Sequence, residues 1–378
     1  MSYPEVDFLY MSEPDVIAAG GTDMPACIDT MEELFKVMSE GDYRMAGKNA
    51  NSHGAMVRFP EHPKFPGMPA DGTDRRFMAM PAYVGGHTQM AGVKWYGSNI
   101  ENKKLGLPRS ILMLTLNDKD TGAPVAYMSA NLISSYRTGA VPAVGVKHLA
   151  TKGAHVLGIV GPGVMNKTSL RGFMAVCPAI DTIKITGRGQ ASIDSYIEYV
   201  KKNFPQVKNI SVVNTLEEAV RGCDIVSVAT NGVGGVETYP FIEESWIKPG
   251  AVLCMPSDGN FDEEFLASDR CKLVVDNYGL YEAWETEQPH PAHEGIGIVG
   301  VKWLDMIVDG KMPRERLINL GDIVTGKNPG RQSDDEIFIY SIGGMPVEDV
   351  AWGTRLYRNA LEKGIGTKLR LWEKPALA

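Results

Sequence analysis

Three groups of residues in this 378-residue chain have the types and spacing for chemistry. The first is the turn Gly161-Pro162-Gly163, which follows the apolar run HVLGIV at 155–160. Glycines let a backbone turn sharply and approach a pyrophosphate. A helix starting just beyond offers unpaired N–H groups and the positive end of its dipole. Asn166 replaces the usual third glycine and is counted with Gly161 and Gly163 as a cofactor residue. A ligand-free strand-to-helix turn has the same local pattern, but this one opens a series of alternating strands and helices, which favours a dinucleotide. The next strand, TIKIT at 182–186, runs into Gly187-Arg188-Gly189 with no acid to hold the ribose hydroxyls of NAD. Arg188 suits a 2′-phosphate, so NADP(H) is the favoured cofactor; NAD(H) beside a solvated surface arginine is the alternative. Two further strand-end loops, Ala229-Thr230-Asn231 and Pro256-Ser257-Asp258-Gly259, fall where such a sheet lines its ligand crevice.

The second group is Lys94, in MAGVKWYGSN, and Arg137, in SSYRTGA. Two cations meeting in a cleft would bind an amino-acid carboxylate, the guanidinium through a two-pronged fork. Ordinary ion pairing is the bland reading of both. The third is Asp258, flanked by glycine in a strand-end loop. It could act as acid/base on an amine or imine, or merely cap a turn. The seven histidines form no metal-ligand spacing, and no metal site, Ser-His-Asp set or G-x-S-x-G elbow stands out.

These residues need a scaffold, and the chain reads as two patterns. From 155 onward apolar strands alternate with helices: strands at 155–160, 182–186, 210–213, 224–229, 251–255 and 272–276, with helices at 166–177, 191–204 and 215–222. That alternation predicts a parallel, doubly wound, Rossmann-type sheet over residues 131–324. Residues 6–10, 110–117 and 124–128 read as strands and 24–39 as a helix, while 41–80 reads as irregular. Residues 130–151 read as a helix or helix pair bent or broken at Pro142. The tail, including a helix at 346–363, is too short to fold alone. It is expected to join residues 1–130, giving an α/β protein with a discontinuous α+β substrate-binding and dimerisation domain of 1–130 and 325–378.

The bulk composition excludes several classes. A net charge of −8, with both signs mixed along the chain, lacks the basic stripe of a nucleic-acid surface. Five scattered cysteines without C-x-x-C argue against a disulfide framework or zinc, and suit a reducing cytoplasm. The start, MSYPEVDFLYMSEPD, has acids where a signal peptide carries basic residues, and no apolar run reaches the roughly 20 residues of a membrane span.

Along most of its length the chain resembles the ornithine cyclodeaminase/mu-crystallin family. The matching segments are MPAY (80–83), VKWYGSN (93–99), DTGAPVAYM (120–128), SSYRTGAVPAVGVKHLA (134–150), GIVGPGVMN (158–166), ATN (229–231), SDGNFDEE (257–264) and GRQSDDEIFIYSIGG (330–344). The resemblance implies a homodimer acting on a small amino or imino acid. It implies that Lys94 and Arg137 hold the substrate carboxylate, with Lys48 in YRMAGK in place of a third, arginine, ligand. Val164, Met165, Thr230, Asn231 and Met255 match cofactor contacts, as do Gly187 and Arg137. Ser341 and Ile342 match the loop beside nicotinamide and substrate, and Asp258 matches the catalytic acid/base.

An acid at 258 favours ammonia-releasing cyclisation of a diamino acid, such as ornithine to proline, with hydride lent to the cofactor and returned. Three departures favour an imine reductase, amino-acid dehydrogenase or opine-type oxidoreductase. Met78 stands near where cyclodeaminases carry a glutamate, the stretch 50–80 adds Arg58, Arg75 and Arg76, and the cofactor reading is NADP(H). A non-catalytic nucleotide-binding protein is the third reading, disfavoured by Lys94, Arg137 and Asp258 together.

Overall fold

The computed structural model describes residues 4–230 and 235–377. The chain divides into two units: one of residues 1–23, 40–137 and 345–378, and one of 24–39 and 138–344.

The first unit is a mixed sheet covered by a helix. Its strands are β1 (Val6–Met11), β2 (Tyr43–Met45), β3 (Ala55–Val57), β4 (Arg76–Val84), β5 (Met90–Ser98), β6 (Ser110–Asp118) and β7 (Pro124–Ser129), with a last strand Thr367–Trp372. From that last strand the order runs β1, β7, β6, β5, β4, β2, with β3 also on β4. The β1–β7 pair is parallel and the others are antiparallel. Burial alternates along β4 and β5, as expected of strands with one face on a core. Met80, Lys94 and Leu114 lie opposite one another in register. The helix Pro346–Lys363 packs on this inner face, where Gly353 and Leu114 meet and Gly92 leaves room for Val350.

One expectation needs correction here. The stretch 41–80 is not wholly irregular, since it holds β2, β3 and the start of β4. Its regularity is hard to read because Pro81 interrupts the run. The structure tolerates that proline: β2 pairs with 82–84 and β3 with 77–79, so residue 81 lies at the gap between them. Of the two alternatives for 130–151, the single helix is the one found: Asn131–Leu149 is one element with Pro142 inside it.

The second unit is a wholly parallel sheet. Its strands are β8 (Val156–Val160), β9 (Thr182–Thr186), β10 (Asn209–Val212), β11 (Ile225–Val228), β12 (Val252–Met255), β13 (Cys271–Val275), β14 (Leu317–Asn319) and β15 (Ile337–Ser341). The spatial order is β10-β9-β8-β11-β12-β15-β13-β14. The order reverses between β8 and β11, the switch point where doubly wound sheets bind ligands. β11 and β12 are buried at every position, as strands with both faces covered must be.

β15 corrects the expected domain limits. The sequence pattern places residues 325–344 with the other domain, yet β15 inserts between β12 and β13. IFIYS is almost entirely buried, which suits an interior parallel strand. The helix Met24–Ser39 also belongs to this unit. It is tied there by Ser39 Oγ to Asp322 at 2.8 Å and by Glu32 to Lys147 and His148 at 2.7 and 2.6 Å.

Candidate active site

In the second unit the bend after β8 is built by close approach. Gly161 has φ +82°, a left-handed conformation that favours glycine. Gly163 caps the helix Val164–Val176 without a side-chain hydrogen bond, and a Cβ added there would meet nothing within 4 Å. The first-turn amides of this helix therefore begin beside open space. Val164 is exposed at that first turn. A Cβ on Gly187 would lie 2.5 Å from Pro162, so that glycine is what lets the two strand-end loops pack. Arg188 is exposed at the end of β9.

Asn166 differs from expectation. Its side chain is buried, with Nδ2 donating to the carbonyls of Val160 and Gly161 at 3.1 and 2.9 Å, while Oδ1 accepts from Ser227 Oγ at 2.7 Å. It braces the bend from inside; its amide group is turned away from the loop surface where a cofactor would lie.

The ends of β11 and β12 are tied together. Ser257 Oγ accepts from the Thr230 amide at 3.0 Å and donates to the Val228 carbonyl at 2.9 Å. Thr230 Oγ1 is buried and has no hydrogen-bond partner among the described residues. An orphaned hydroxyl at a strand end beside the switch point is what a polar ligand group would satisfy. Asn231 lies outside the described residues.

Asp258, half-buried, is held by backbone pairing of its loop: it bridges Ile298, and the Gly259 amide donates to Gly297 at 3.0 Å. His293 Nε2 lies 3.2 Å from the carbonyls of both Gly259 and Gly297, positions that call for an N–H donor. Burial lowers the pKa of His293, favouring the neutral ring. A Cβ on Gly297 would lie 2.5 Å from the Tyr239 ring and 2.6 Å from the Asp258 carboxylate. Burial, then the nearby Asp258, raises the Tyr239 phenol.

The loop leaving β15 is similarly fixed. Ile342 donates its amide to the Met255 carbonyl at 3.1 Å, and Ser341 Oγ accepts from Tyr281 at 3.1 Å and from the Gly300 amide at 2.9 Å. Asp276, which sequence reasoning missed, accepts from the amides of Gly343 and Gly344 at 2.7 and 3.1 Å. Burial pushes its carboxyl up to about 6, with those amides opposing. Met255, Ser341 and Ile342 thus share one edge of the sheet.

In the first unit the structure brings Lys94 and Arg137 together. Lys94 rises from the inner face of β5 and is 2% exposed; Arg137, on the helix Asn131–Leu149, is 7% exposed. Both are held by acids that sequence reasoning missed. Lys94 Nζ donates to Asp349 at 2.6 Å, and Arg137 Nε donates to the other oxygen of Asp349 at 3.3 Å. Arg137 Nη1 donates to Glu348 at 2.6 Å, and Ser134 Oγ lies 3.4 Å from both cations. Burial pushes Lys94 down to about 8, with Asp349 opposing. Asp349 is buried too, yet Arg137 and Lys94 hold its carboxyl below the ordinary aspartate range. Both acids sit in the first turn of the helix Pro346–Lys363, where the dipole favours negative charge. The available signal was a pair of acids inside an otherwise apolar helix start, PVEDVAW.

The other cations lie elsewhere. Lys48 is exposed in the turn after β2, and among the described residues no hydrogen bond or ion pair brings it to this cluster. Arg58 donates to Met56 and Arg75 to the Ala70 carbonyl. Arg76 pairs with Asp74, as does Arg109, and stands over the Tyr96 ring. Met78, which the family resemblance places near a cyclodeaminase glutamate, is buried against Met80, Tyr96 and Leu112. Among the described residues, no group of three His, Cys, Asp or Glu could hold a metal ion, and no helix is long and apolar enough to cross a membrane.

Comparison with known proteins agrees with this architecture. The chain is 30% identical over 369 residues to N-((2S)-2-amino-2-carboxyethyl)-L-glutamate dehydrogenase of Staphylococcus aureus, covering 97% of this chain and 99% of that one. It is 29% identical over 300 residues to alanine dehydrogenase of Archaeoglobus fulgidus, covering 78% and 83%. The structure of Thermococcus litoralis Δ1-pyrroline-2-carboxylate reductase, in complex with NADH and L-proline, superposes with a TM-score of 0.74 at 25% identity over 95% and 99% of the two chains. The sequence profile of the ornithine cyclodeaminase/mu-crystallin family matches residues 21–364, and the chain belongs to that family.

Proposed function

We propose that the protein is a nicotinamide-dependent oxidoreductase acting on the C–N bond of an amino acid or its imine, with N-substituted, opine-type amino acids as the leading substrate class. The observation that carries this reading is the burial of Lys94 and Arg137 in one site, an arrangement suited to a small carboxylate. Full-length similarity to a dehydrogenase of an N-substituted glutamate supports the substrate class.

The residues of the second unit fit a dinucleotide: an open glycine bend, uncapped first-turn amides and the orphaned Thr230 hydroxyl. Gly161, Gly163, Val164, Met165, Gly187, Thr230, Met255 and Ser341 would hold it, and Arg188 would favour a 2′-phosphate, hence NADP(H). When bound, the nicotinamide supplies hydride exchange at the substrate α-carbon. Lys94 and Arg137 orient the carboxylate, Ile342 packs beside the substrate, and Asp258 takes the proton that the nitrogen releases on oxidation or returns it on reduction. A homodimer through the outer sheet face of the first unit is part of the proposal. That face exposes Phe77 and Trp95, stacked with ring centroids 5.9 Å apart, and Ile111 beside a cavity of about 520 Å³.

Asp258 keeps a second reading in play, cyclodeamination of ornithine or a related diamino acid. One assay separates them. With L-ornithine and catalytic NADP+ or NAD+, proline and ammonia without net reduced cofactor support the lyase. Stoichiometric change in reduced cofactor with an amino acid, or with an amine plus 2-oxo acid, supports the oxidoreductase. Asp258→Asn should lower turnover about 100-fold or more while leaving cofactor affinity unchanged; near-full activity would remove Asp258 from the mechanism.

A further inference from the structure

Glu348 is the member of the charged cluster that the proposed chemistry leaves without a task. Its side chain is wholly buried, and it takes Nη1 of Arg137 at 2.6 Å. Asp349 alone already touches both cations, through Nζ of Lys94 and Nε of Arg137. The charges can be counted. With Asp349 only, two cations against one carboxylate would leave one positive charge, the amount a substrate carboxylate neutralises. Glu348 brings the count to two against two. The site is therefore charge-balanced before any ligand arrives, and in a desolvated setting an added lone anion has nothing left to neutralise it.

Resting on the assignment of Lys94 and Arg137 to a substrate carboxylate, we propose that Glu348 is a specificity-determining residue: by neutralising Arg137 it makes the site favour a carboxylate that brings its own cationic nitrogen over one that does not. The ligand class is then the amino-acid zwitterion or the protonated imino acid. The matching 2-oxo acid, an anion without a cation, is held more weakly. Ser134 is neutral and cannot take this part, and Asp349 cannot be spared for it because it is the partner of buried Lys94.

The test uses the full chain with NADP(H) or NAD(H) present at pH 7. Dissociation constants are measured for two matched pairs, L-alanine with pyruvate and L-glutamate with 2-oxoglutarate. In the wild type the amino member of a pair should bind at least about tenfold more tightly than its 2-oxo partner. Glu348→Gln, which keeps the shape and removes the charge, should tighten the 2-oxo member by about tenfold or more and leave the amino member within about threefold. Glu348→Asp, which keeps the charge, should retain the wild-type order. Circular dichroism establishes that each variant folds. Should Glu348→Gln not fold, Glu348→Met removes the charge in its place. A ratio unchanged in the charge-removing variant, a wild type that binds 2-oxo acids as tightly, or loss of the order in Glu348→Asp overturns the proposal while leaving the carboxylate site standing. Binding of neither member of either pair, with Arg137→Met also without effect on any amino acid tried, removes the carboxylate site and the proposal together.

Discussion

Replacing Asp349 by Asn isolates the bond on which the charged site depends. Asp349 is fully buried and is the close partner of Lys94, whose next polar neighbour, Ser134 Oγ, is 3.4 Å away. Asparagine keeps the size and one acceptor oxygen but deletes the charge. Breaking a buried pair from one side typically costs about 3–5 kcal/mol, because it strands the opposite charge. The retained acceptor places the expectation near the lower end, about 3 kcal/mol at pH 7, a large share of the roughly 5–15 kcal/mol that a domain has in total.

The loss should depend on pH with a definite sign. Lys94 titrates at about 8 in the folded protein against 10.5 for a lysine in water. Between those values the unfolded chain binds more protons, so stability rises with pH through that window. Asp349 is among the groups that raise the Lys94 value. The substitution therefore extends the window downward. The variant starts gaining stability at a lower pH than the wild type, and its deficit shrinks as pH rises toward about 8 and is level above it. Hydrogen exchange of the amides in Met90–Ser98 and Pro346–Lys363 reads this unit directly, at several pH values from 6 to 9. Adding Lys94→Met to Asp349→Asn should restore part of the loss, since it removes the stranded cation. A deficit below about 1 kcal/mol at pH 7, or one that grows with pH, would refute the pairing as the source of stability.

Three further changes test the nucleotide unit. Thr230→Val removes a buried hydroxyl that has no partner among the described residues, so thermal stability without cofactor should stay within about 0.5 kcal/mol or improve, while NADP(H) and NAD(H) bind about tenfold more weakly by fluorescence titration. Arg188→Ala should weaken NADP(H) by about tenfold or more and leave NAD(H) within about threefold; equal effects would defeat the 2′-phosphate assignment. Gly297→Ala places a methyl against Tyr239 and Asp258, and should cut turnover by about tenfold or more with cofactor affinity retained. Normal turnover in that variant would show that the Asp258 loop tolerates displacement.

The parallel sheet was legible because its signals are local. β8, β11, β12 and β13 are short, largely apolar runs closed by turn residues, and Gly161 announces a bend that other residues adopt with difficulty. β15 escaped because its sequence follows a long excursion, and nothing local states that it returns between β12 and β13. β4 and β5 escaped for a different reason. The inner face of β5 mixes Met, Gly, Lys, Tyr and Ser, while β4 is apolar on both faces apart from Arg76, so a simple alternation of apolar and polar residues is absent from either. The late GRQSDDEI motif was visible but not its purpose. Arg331 donates to the carbonyls of Leu149 and Gly250 at 2.6 and 2.8 Å, so it serves the end of the helix Asn131–Leu149 and a neighbouring loop.

The charged cluster marks the limit of reading from spacing alone. Lys94 and Asp349 are 255 positions apart, and Arg137 lies 212 from Asp349 and 211 from Glu348. No periodicity links residues at such separations; only the packing of a helix on a sheet face does. Yet the acids were detectable as a local conflict. PVEDVAW places two carboxylates where a helix start is otherwise apolar, and two buried carboxylates cannot stand without cations. Lys94 presents the mirror image, one ammonium in an apolar and aromatic strand. Each segment alone implies a missing opposite charge. That reasoning would have found the Asp349 partnership from sequence. It would not have distinguished the acid that holds Lys94 from the one that balances Arg137, because that difference lies in which nitrogen each oxygen meets.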